Sequence, residues 1–241
     1  MLFFYITLGI IILLIITFIN SPKSKGIYGE FKVKLVLGKN IENERYVIND
    51  LYLVNEEKST QIDHVLINRK GIFVIETKNY AGRIYGNENQ REWTQVLNYG
   101  KVKNKLYNPI LQNKSHIYAL SKIIGRSDCF ISIIVFPKAE LMTETTTHVC
   151  HIGNVRNIIK QETEVKFTVE EMNYIYKKLL DFKINPPVTP REHVEGIRQM
   201  QKQIKMNFCP RCGKKLVYKS NMYSNFWGCS GYPKCRFIKK N

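Results

Sequence analysis

Gly71-Ile72-Phe73-Val74-Ile75-Glu76-Thr77-Lys78 opens, after a glycine, on four consecutive apolar residues and ends in an acid and a base two positions apart. An unbroken apolar run of this kind belongs to a strand in the middle of a sheet, covered on both faces. Side chains two apart on a strand share a face, so Glu76 and Lys78 fall on the face of Ile72 and Val74. Such a strand ending in two charges is unusual, because a buried charge has to be paired or hold a metal ion.

Immediately before it, Gln61–Asn68 reads as a second strand, joined through Asn68-Arg69-Lys70-Gly71. Asn at the first position and Gly at the last suit a type I turn. If the loop holds an even number of residues, Ile67 pairs with Ile72 and Asp63 faces Glu76, with Cβ atoms about 4.5–5.5 Å apart. If it is odd, with Gly71 in a bulge, the two acids fall on opposite faces. Both registers fit the sequence. In the first, two carboxylates on adjacent strands beside a lysine suit metal-assisted phosphodiester hydrolysis. The acids would hold Mg²⁺, which polarises a phosphoryl oxygen and activates water. The plainer reading of the same residues is an ion pair of Lys78 with Glu76 or Asp63.

Further out the pattern is mixed α/β. Tyr46–Val54, Phe130–Phe136 and His148–Ile152 read as strands. Ile27–Leu37 reads as a helix with Ile27, Phe31 and Leu35 on one face. Asn108 and Pro109 are the N-cap and first position of a helix running to Ile124. Thr168-x-x-Glu171 is a capping box before a helix over Val169–Phe182. The run Asn185-Pro186-Pro187-Val188-Thr189-Pro190 ends that helix, and polar Arg191–Lys205 follows as a solvated linker helix. The expected division is an anchor over 1–20, an α/β body over 25–183, a linker over 184–206 and a cysteine module over 207–241. His64 alternates away from Asp63 and is expected to hydrogen-bond locally. His148, Cys150 and His151 are split between faces and are expected to be structural.

The 241-residue chain has 37 Lys and Arg against 20 Asp and Glu, a net charge of +17 that favours polyanionic partners, nucleic acid or anionic lipid. Leu2–Ile19 is apolar and reaches about 27 Å as a helix, near the thickness of a bilayer core. The rival is a cleaved signal peptide, but no basic residue precedes the run and no small-x-small site follows it. Lys23, Lys25, Lys32 and Lys34 come after it instead. The expectation is therefore a single-pass anchor with the N-terminus outside and the body in the cytoplasm.

At the other end, Cys209-Pro-Arg-Cys212 and Cys229-Ser-Gly-Tyr-Pro-Lys-Cys235 form two close pairs separated by a hairpin-sized loop. That spacing suits a closed structural zinc site of four thiolates, and so short a segment needs a metal to fold. Two disulfides are the alternative, which a cytoplasmic location disfavours. From Met200 onward there are ten Lys and Arg and no acid. Basic residues can follow a phosphate backbone while Tyr223, Phe226, Trp227, Tyr232 or Phe237 offers a stacking face, with Trp227 and Phe237 expected in the miniature core.

These cysteines and the Phe226-Trp227-Gly228 that precedes the second pair resemble the zinc ribbons at the C-terminus of type IA DNA topoisomerases. The resemblance implies contact with DNA, single-stranded at the ribbon. Gly26-x-x-Gly29-Glu30, Gln61-Ile62-Asp63-His64-Val65, the stretch Gly71–Lys78, Gly82 and Trp93 resemble the nuclease-related domain, NERD, over about Gly26–Phe182. That family is assigned to the PD-(D/E)xK nuclease superfamily. It implies a restriction-endonuclease-like α-β-β-β-α-β core, with Asp63 and Glu76 as ligands of Mg or Mn and Lys78 as the catalytic lysine. Glu30 would be a further acid near the metal, and Gln112 a polar neighbour of lower weight. Ile62 stands where the superfamily's name has Pro. The expected function is a membrane-anchored, metal-dependent DNA nuclease with no small-molecule cofactor. The alternatives are a non-catalytic DNA tether of the same fold and a module whose basic face meets lipid.

Overall fold

The computed structural model of the protein describes residues 5, 7, 17, 21–55, 58–220 and 225–240. The expected anchor, Leu2–Ile19, lies outside them except at Tyr5, Thr7 and Thr17, and among the described residues no helix is long and apolar enough to cross a membrane. The chain divides into two compact units, 1–187 and 188–241.

The first unit is built on β3 (Gly71–Thr77), every residue of which is buried. It is the middle strand of a five-stranded sheet ordered β1 (Arg45–Asn55), β2 (Lys58–Asn68), β3, β7 (Phe130–Phe136), β9 (His148–His151). β1, β2 and β3 run antiparallel in sequence, whereas β3, β7 and β9 are parallel. A parallel partner demands a crossover, which includes α2 (Pro109–Ile124). Asn108 caps α2 by accepting from Ile110 N–H. Ile72 and Val74 on one face of β3 pack with Ala119 and Leu120 of α2 and Met172, Ile175 and Leu179 of α4 (Val169–Ile184). Phe73 and Ile75 on the other face pack with Val33 and Leu37 of α1 (Pro22–Leu37) and Val155 of α3 (Val155–Gln161). The sheet is thus covered on both faces, which explains its unbroken apolar runs. The capping box at Thr168 and Glu171 is formed in both directions.

Two features go beyond the sequence reading. Ile27, Phe31 and Leu35 do share a face of α1, but it is exposed, while Val33 and Leu37 make the inward face. A second sheet, ordered β6 (Val102–Tyr107), β5 (Glu92–Leu97), β4 (Arg83–Asn87), β8 (Glu140–Glu144), was not foreseen. Ile84, Trp93 and Leu106 turn inward from it onto Ile110, Ile134 and Phe136. Its outer face mixes Arg83, Thr94, Lys103 and Lys105 with exposed Tyr85, Tyr107 and Met142, so the short strands show no clean apolar alternation.

In the second unit α5 (Pro190–Lys205) starts from a capping box of Thr189 and Glu192. A three-stranded antiparallel sheet follows, β10 (Leu216–Ser220), β11 (Asn225–Cys229) and β12 (Ile238–Lys240), in that order.

Gly86 lies flat against Trp93: a Cβ there would stand 2.3 Å from the indole. Gly86→Ala is expected to lower stability by about 1–3 kcal/mol through overpacking. Gly26→Ala, where nothing lies within 4 Å of the added Cβ, is expected to be neutral or to stabilise the helix by up to ~1 kcal/mol. Urea unfolding of the two variants checks both.

Candidate functional site

The β2–β3 turn has two residues, Arg69 and Lys70, between the paired Asn68 and Gly71, which places Ile67 opposite Ile72. This is the even register. The ladder stops at His64 opposite Ile75. In an antiparallel pair narrow and wide pairs alternate, so the next ladder bond would have joined Thr77 to Ile62. Instead the Asp63 side chain enters: its Oδ2 accepts from Thr77 N–H at 2.8 Å. The neighbouring strand is irregular too. Asp50 in β1 has φ 52°, the left-handed region. Across it the alternation of β1 changes sense, Val47 packing toward α1 but Leu51 and Leu53 toward α2 and α4. The β1–β2 register is kept across it, the β2–β3 ladder ends at His64, and Asp63 takes the Thr77 N–H.

At the end of β3, Glu76 is 2% exposed. Its Oε1 lies 2.7 Å from Lys78 Nζ and its Oε2 3.1 Å from His116 Nε2. Lys78 Nζ also donates to Gln112 Oε1 at 2.9 Å, and His116 Nδ1 lies 2.8 Å from Thr60 Oγ1. A tautomer with the proton on Nε2 serves both histidine contacts, with the Thr60 hydroxyl donating. Gln112 and His116 sit one helical turn apart on α2, so they point together at the strand end.

Glu30 comes from α1, which packs on the opposite face. Gly29 makes the approach possible, since a Cβ there would stand 2.6 Å from Asn79 Cβ. Burial, then Asp50 and Glu76, raise the Glu30 pKa, with Lys78 opposing. Burial, then Glu76 and Glu30, push Asp63 well above the usual carboxylate range, against the Thr77 N–H and Lys78. Burial alone would raise Glu76 too, but Lys78 and His116 outweigh it and hold this carboxyl below its ordinary value. Burial disfavours the Lys78 ammonium, but Glu76 and Asp63 overcome that and raise its pKa. The pattern is a surplus of buried negative charge around one ammonium.

Glu30, Asp63, Glu76, Lys78 and Gln112 are therefore gathered at one strand end. Asp50, Tyr52 and His116 join them unforeseen; burial, Asp50, Glu30 and Asp63 raise the Tyr52 pKa. Asp50 left no pattern in the sequence, whereas His116 could have been found from its i+4 spacing to Gln112. The three carboxylates are not as close as ligands of one ion: among the described residues, the four cysteines alone form a group of such side chains with ligand atoms within 4.8 Å of one another. His64 faces away, buried, with Nδ1 2.7 Å from Asn49 Oδ1; burial lowers its pKa to about 4. Cys150 is buried in the core on the α1 side, its thiol pushed up to about 11 by burial, and His151 accepts weakly from Gly153 N–H.

Cys209 and Cys212 lie on the turn before β10, Cys229 ends β11 and Cys235 precedes β12. Arg211 N–H and Gly231 N–H donate to the sulfurs of Cys209 and Cys229 at 3.4 and 3.2 Å. Sγ atoms lie 3.6 Å apart in Cys209 and Cys235 and 3.2 Å apart in Cys212 and Cys229, too long for disulfides. Zn–S bonds of about 2.3 Å in a tetrahedron put sulfurs about 3.8 Å apart, so the four thiolates fit zinc with only a small adjustment. Trp227 and Phe237 pack against this cluster. Tyr232 and Tyr218 are exposed, and Tyr223 lies outside the described residues. Purified under reducing conditions without chelator, the chain is expected to carry about one zinc. Cys229→Ser should lose the metal and the fold of residues 188–241 while the first unit keeps its own thermal transition; a metal-free wild type would overturn the assignment.

Two family models match different stretches of the chain. The nuclease-related domain matches residues 25–137, and the topoisomerase DNA-binding C4 zinc finger matches residues 206–241. An uncharacterised protein of Bacillus anthracis is 35% identical over 182 residues, 73% of this chain and 85% of that protein. DNA topoisomerase 1 of Methanocaldococcus jannaschii is 42% identical over 43 residues, 18% of this chain but 6% of the topoisomerase. DNA topoisomerase 1 of Helicobacter pylori strain J99 is 50% identical over 32 residues, 13% of this chain and 4% of its own. No solved structure matches. On the match to its body and the extent of the Bacillus relative, the chain belongs to the nuclease-related domain family and carries a topoisomerase-type four-cysteine ribbon at its C-terminal end.

Proposed function

We propose that the protein is a metal-dependent nuclease that cuts DNA at the end of β3 and holds it, as a single strand, with the ribbon. The order α1, β1, β2, β3, α2, β7, with β4, β5 and β6 inserted between β3 and α2, supports a restriction-endonuclease-like core. The observation that carries the reading is the buried Glu76 beside Lys78, with Asp63 turned onto the same strand end. The donor set suits a hard divalent cation, because Asp63 and Glu76 offer oxygen ligands and Asp63 is crowded by negative charge. Magnesium or manganese, when bound, would polarise a phosphoryl oxygen and lower the pKa of its water. Lys78, kept charged by its acids, positions the attacking water or balances charge on the phosphorane. Gln112 and His116 hold Lys78 and Glu76 in place, and Glu30 adds a further acid. The apolar run Leu2–Ile19 tethers the cytoplasmic body to the membrane, with the N-terminus outside.

One observation favours the second reading, a non-catalytic DNA tether of the same fold. Both carboxylate oxygens of Glu76 are already engaged, one by Lys78 and one by His116. Cleavage assays of the full chain on single- and double-stranded DNA, with and without Mg²⁺ or Mn²⁺, separate the two. Glu76→Gln is expected to abolish metal-dependent cleavage, and Lys78→Ala to slow it by roughly 10²-fold, with DNA binding retained in both. A wild type that binds DNA and never cuts it, across divalent metals, leaves the tether.

The raised pKa of Asp63 gives a further test. Folding favours its protonated form, so its contribution is most favourable below the unfolded carboxylate range, near pH 4, and is lost as pH rises through the folded value. Asp63→Asn, which can still accept from Thr77 N–H, is expected to raise the Tm of the metal-free chain at pH 7 more than at pH 4. It should at the same time remove any Tm gain from added Mg²⁺.

A further inference from the structure

α1 carries apolar residues on two sides. Val33 and Leu37 are buried against the sheet. At 3.6 residues per turn, Ile27, Tyr28, Phe31 and Leu35 fall together in a sector about 100° wide on another side of the helix. They are 54%, 50%, 51% and 60% exposed. Isolated surface apolar residues are ordinary, but four in one unbroken stripe are not. Lysines border the stripe on both edges, Lys34 on one and Lys25 and Lys32 on the other. Lys32 Nζ stands 4.5 Å from the centre of the Tyr28 ring. The chain leading into this helix contains the apolar run Leu2–Ile19, which ends at Asn20 and Ser21, and Ser21 is the N-cap of α1.

We propose that this face of α1 lies flat on an anionic lipid surface, with Ile27, Phe31 and Leu35 in the interface and the bordering lysines reaching to the headgroups. A helix whose inner apolar side, here Val33 and Leu37, is already covered by protein can still lay a second apolar stripe, bordered by lysines, into a membrane interface. The short connection leaves α1 no freedom to be far from the bilayer if the preceding run spans it. The inference rests on that anchor reading. Its consequence concerns the acid cluster: Glu30 is on the same helix as the lipid-facing stripe and feels the charges of Glu76 and Lys78, so the strand end is kept beside the membrane-bound helix rather than remote from it. DNA would then be met in the plane of the membrane rather than at the end of a free tether.

Introduced indoles in the full chain test this. Phe31→Trp and, separately, Leu13→Trp are reconstituted in phosphatidylcholine–phosphatidylglycerol vesicles whose acyl chains carry bromine either near the glycerol or near the chain ends. The wild-type emission of Trp93 and Trp227 is subtracted. For Phe31→Trp the expected result is loss of the added emission with bromine near the glycerol and little loss with bromine near the chain ends. For Leu13→Trp the deep bromine is expected to quench most. If the Leu13→Trp indole is quenched and the Phe31→Trp indole is not, the anchor stands and the docking of α1 is overturned. Should the Phe31→Trp indole escape bromine yet be shielded from an aqueous quencher, a second copy of the chain covers the stripe and the inference is equally overturned. Quenching of neither indole removes the anchor and the docking together.

Discussion

The contact on which the body of this protein depends is the pairing of Glu76 with Lys78 and His116 at the end of β3. Taking a carboxylate out of water costs several kcal/mol unless other groups replace its solvation. Here an ammonium takes one oxygen and an imidazole the other. Each partner is then fixed in turn, Lys78 by Gln112 and His116 by Thr60. A strand, a crossover helix and the neighbouring strand are thereby tied to one point. Removing Lys78 would leave the buried carboxylate without its countercharge, which destabilises more than the intact pair stabilises.

That point is also where the sheet stops being regular. The backbone of Asp50 is left-handed, the alternation of β1 changes sense there, and the ladder position on Thr77 is taken by the Asp63 carboxyl. The result is several acids around the Lys78 ammonium, and the pKa values diverge accordingly: Asp63 and Glu30 rise while Glu76 falls. Titratable groups driven apart in this way cluster at sites that do chemistry. The second unit solves the opposite problem. It has almost no apolar interior, so four sulfurs and two flanking aromatics stand in for a core, and metal binding and folding become one event.

α1 joins these themes. Its inward side needs Gly29 so that Asn79 can approach, and that approach brings Glu30 toward the acids. Its outward side leaves four large apolar residues in solvent. A single helix thus bears on both the candidate chemistry and the surface where the body is placed.

Much of this was written in the chain. The apolar run of β3, the Asn108-Pro109 start of α2, the capping box before α4 and the two cysteine pairs depend on residues close in sequence, and each appears where local physics puts it. The motif residues Asp63, Glu76 and Lys78 could be named, but not their relation. A turn of two, Arg69 and Lys70, set the even register of β2 and β3, but the ladder ends at His64 opposite Ile75, and Asp63 reaches the strand end through Thr77 N–H instead. The face of α1 that turns inward, the sheet of β4, β5, β6 and β8, and the arrival of Asp50 and His116 were decided by tertiary structure alone. Both sides of α1 are apolar, and the strands of that sheet are short and one-sided, so periodicity marks neither. Asp50 acts on Glu30 across 20 residues of sequence and His116 meets Glu76 across 40, and only the folded sheet turns such separations into contact. The sequence determined which groups must be solvated or paired; packing determined which partner each one met, because a buried charge takes its partner from whatever the fold brings within reach.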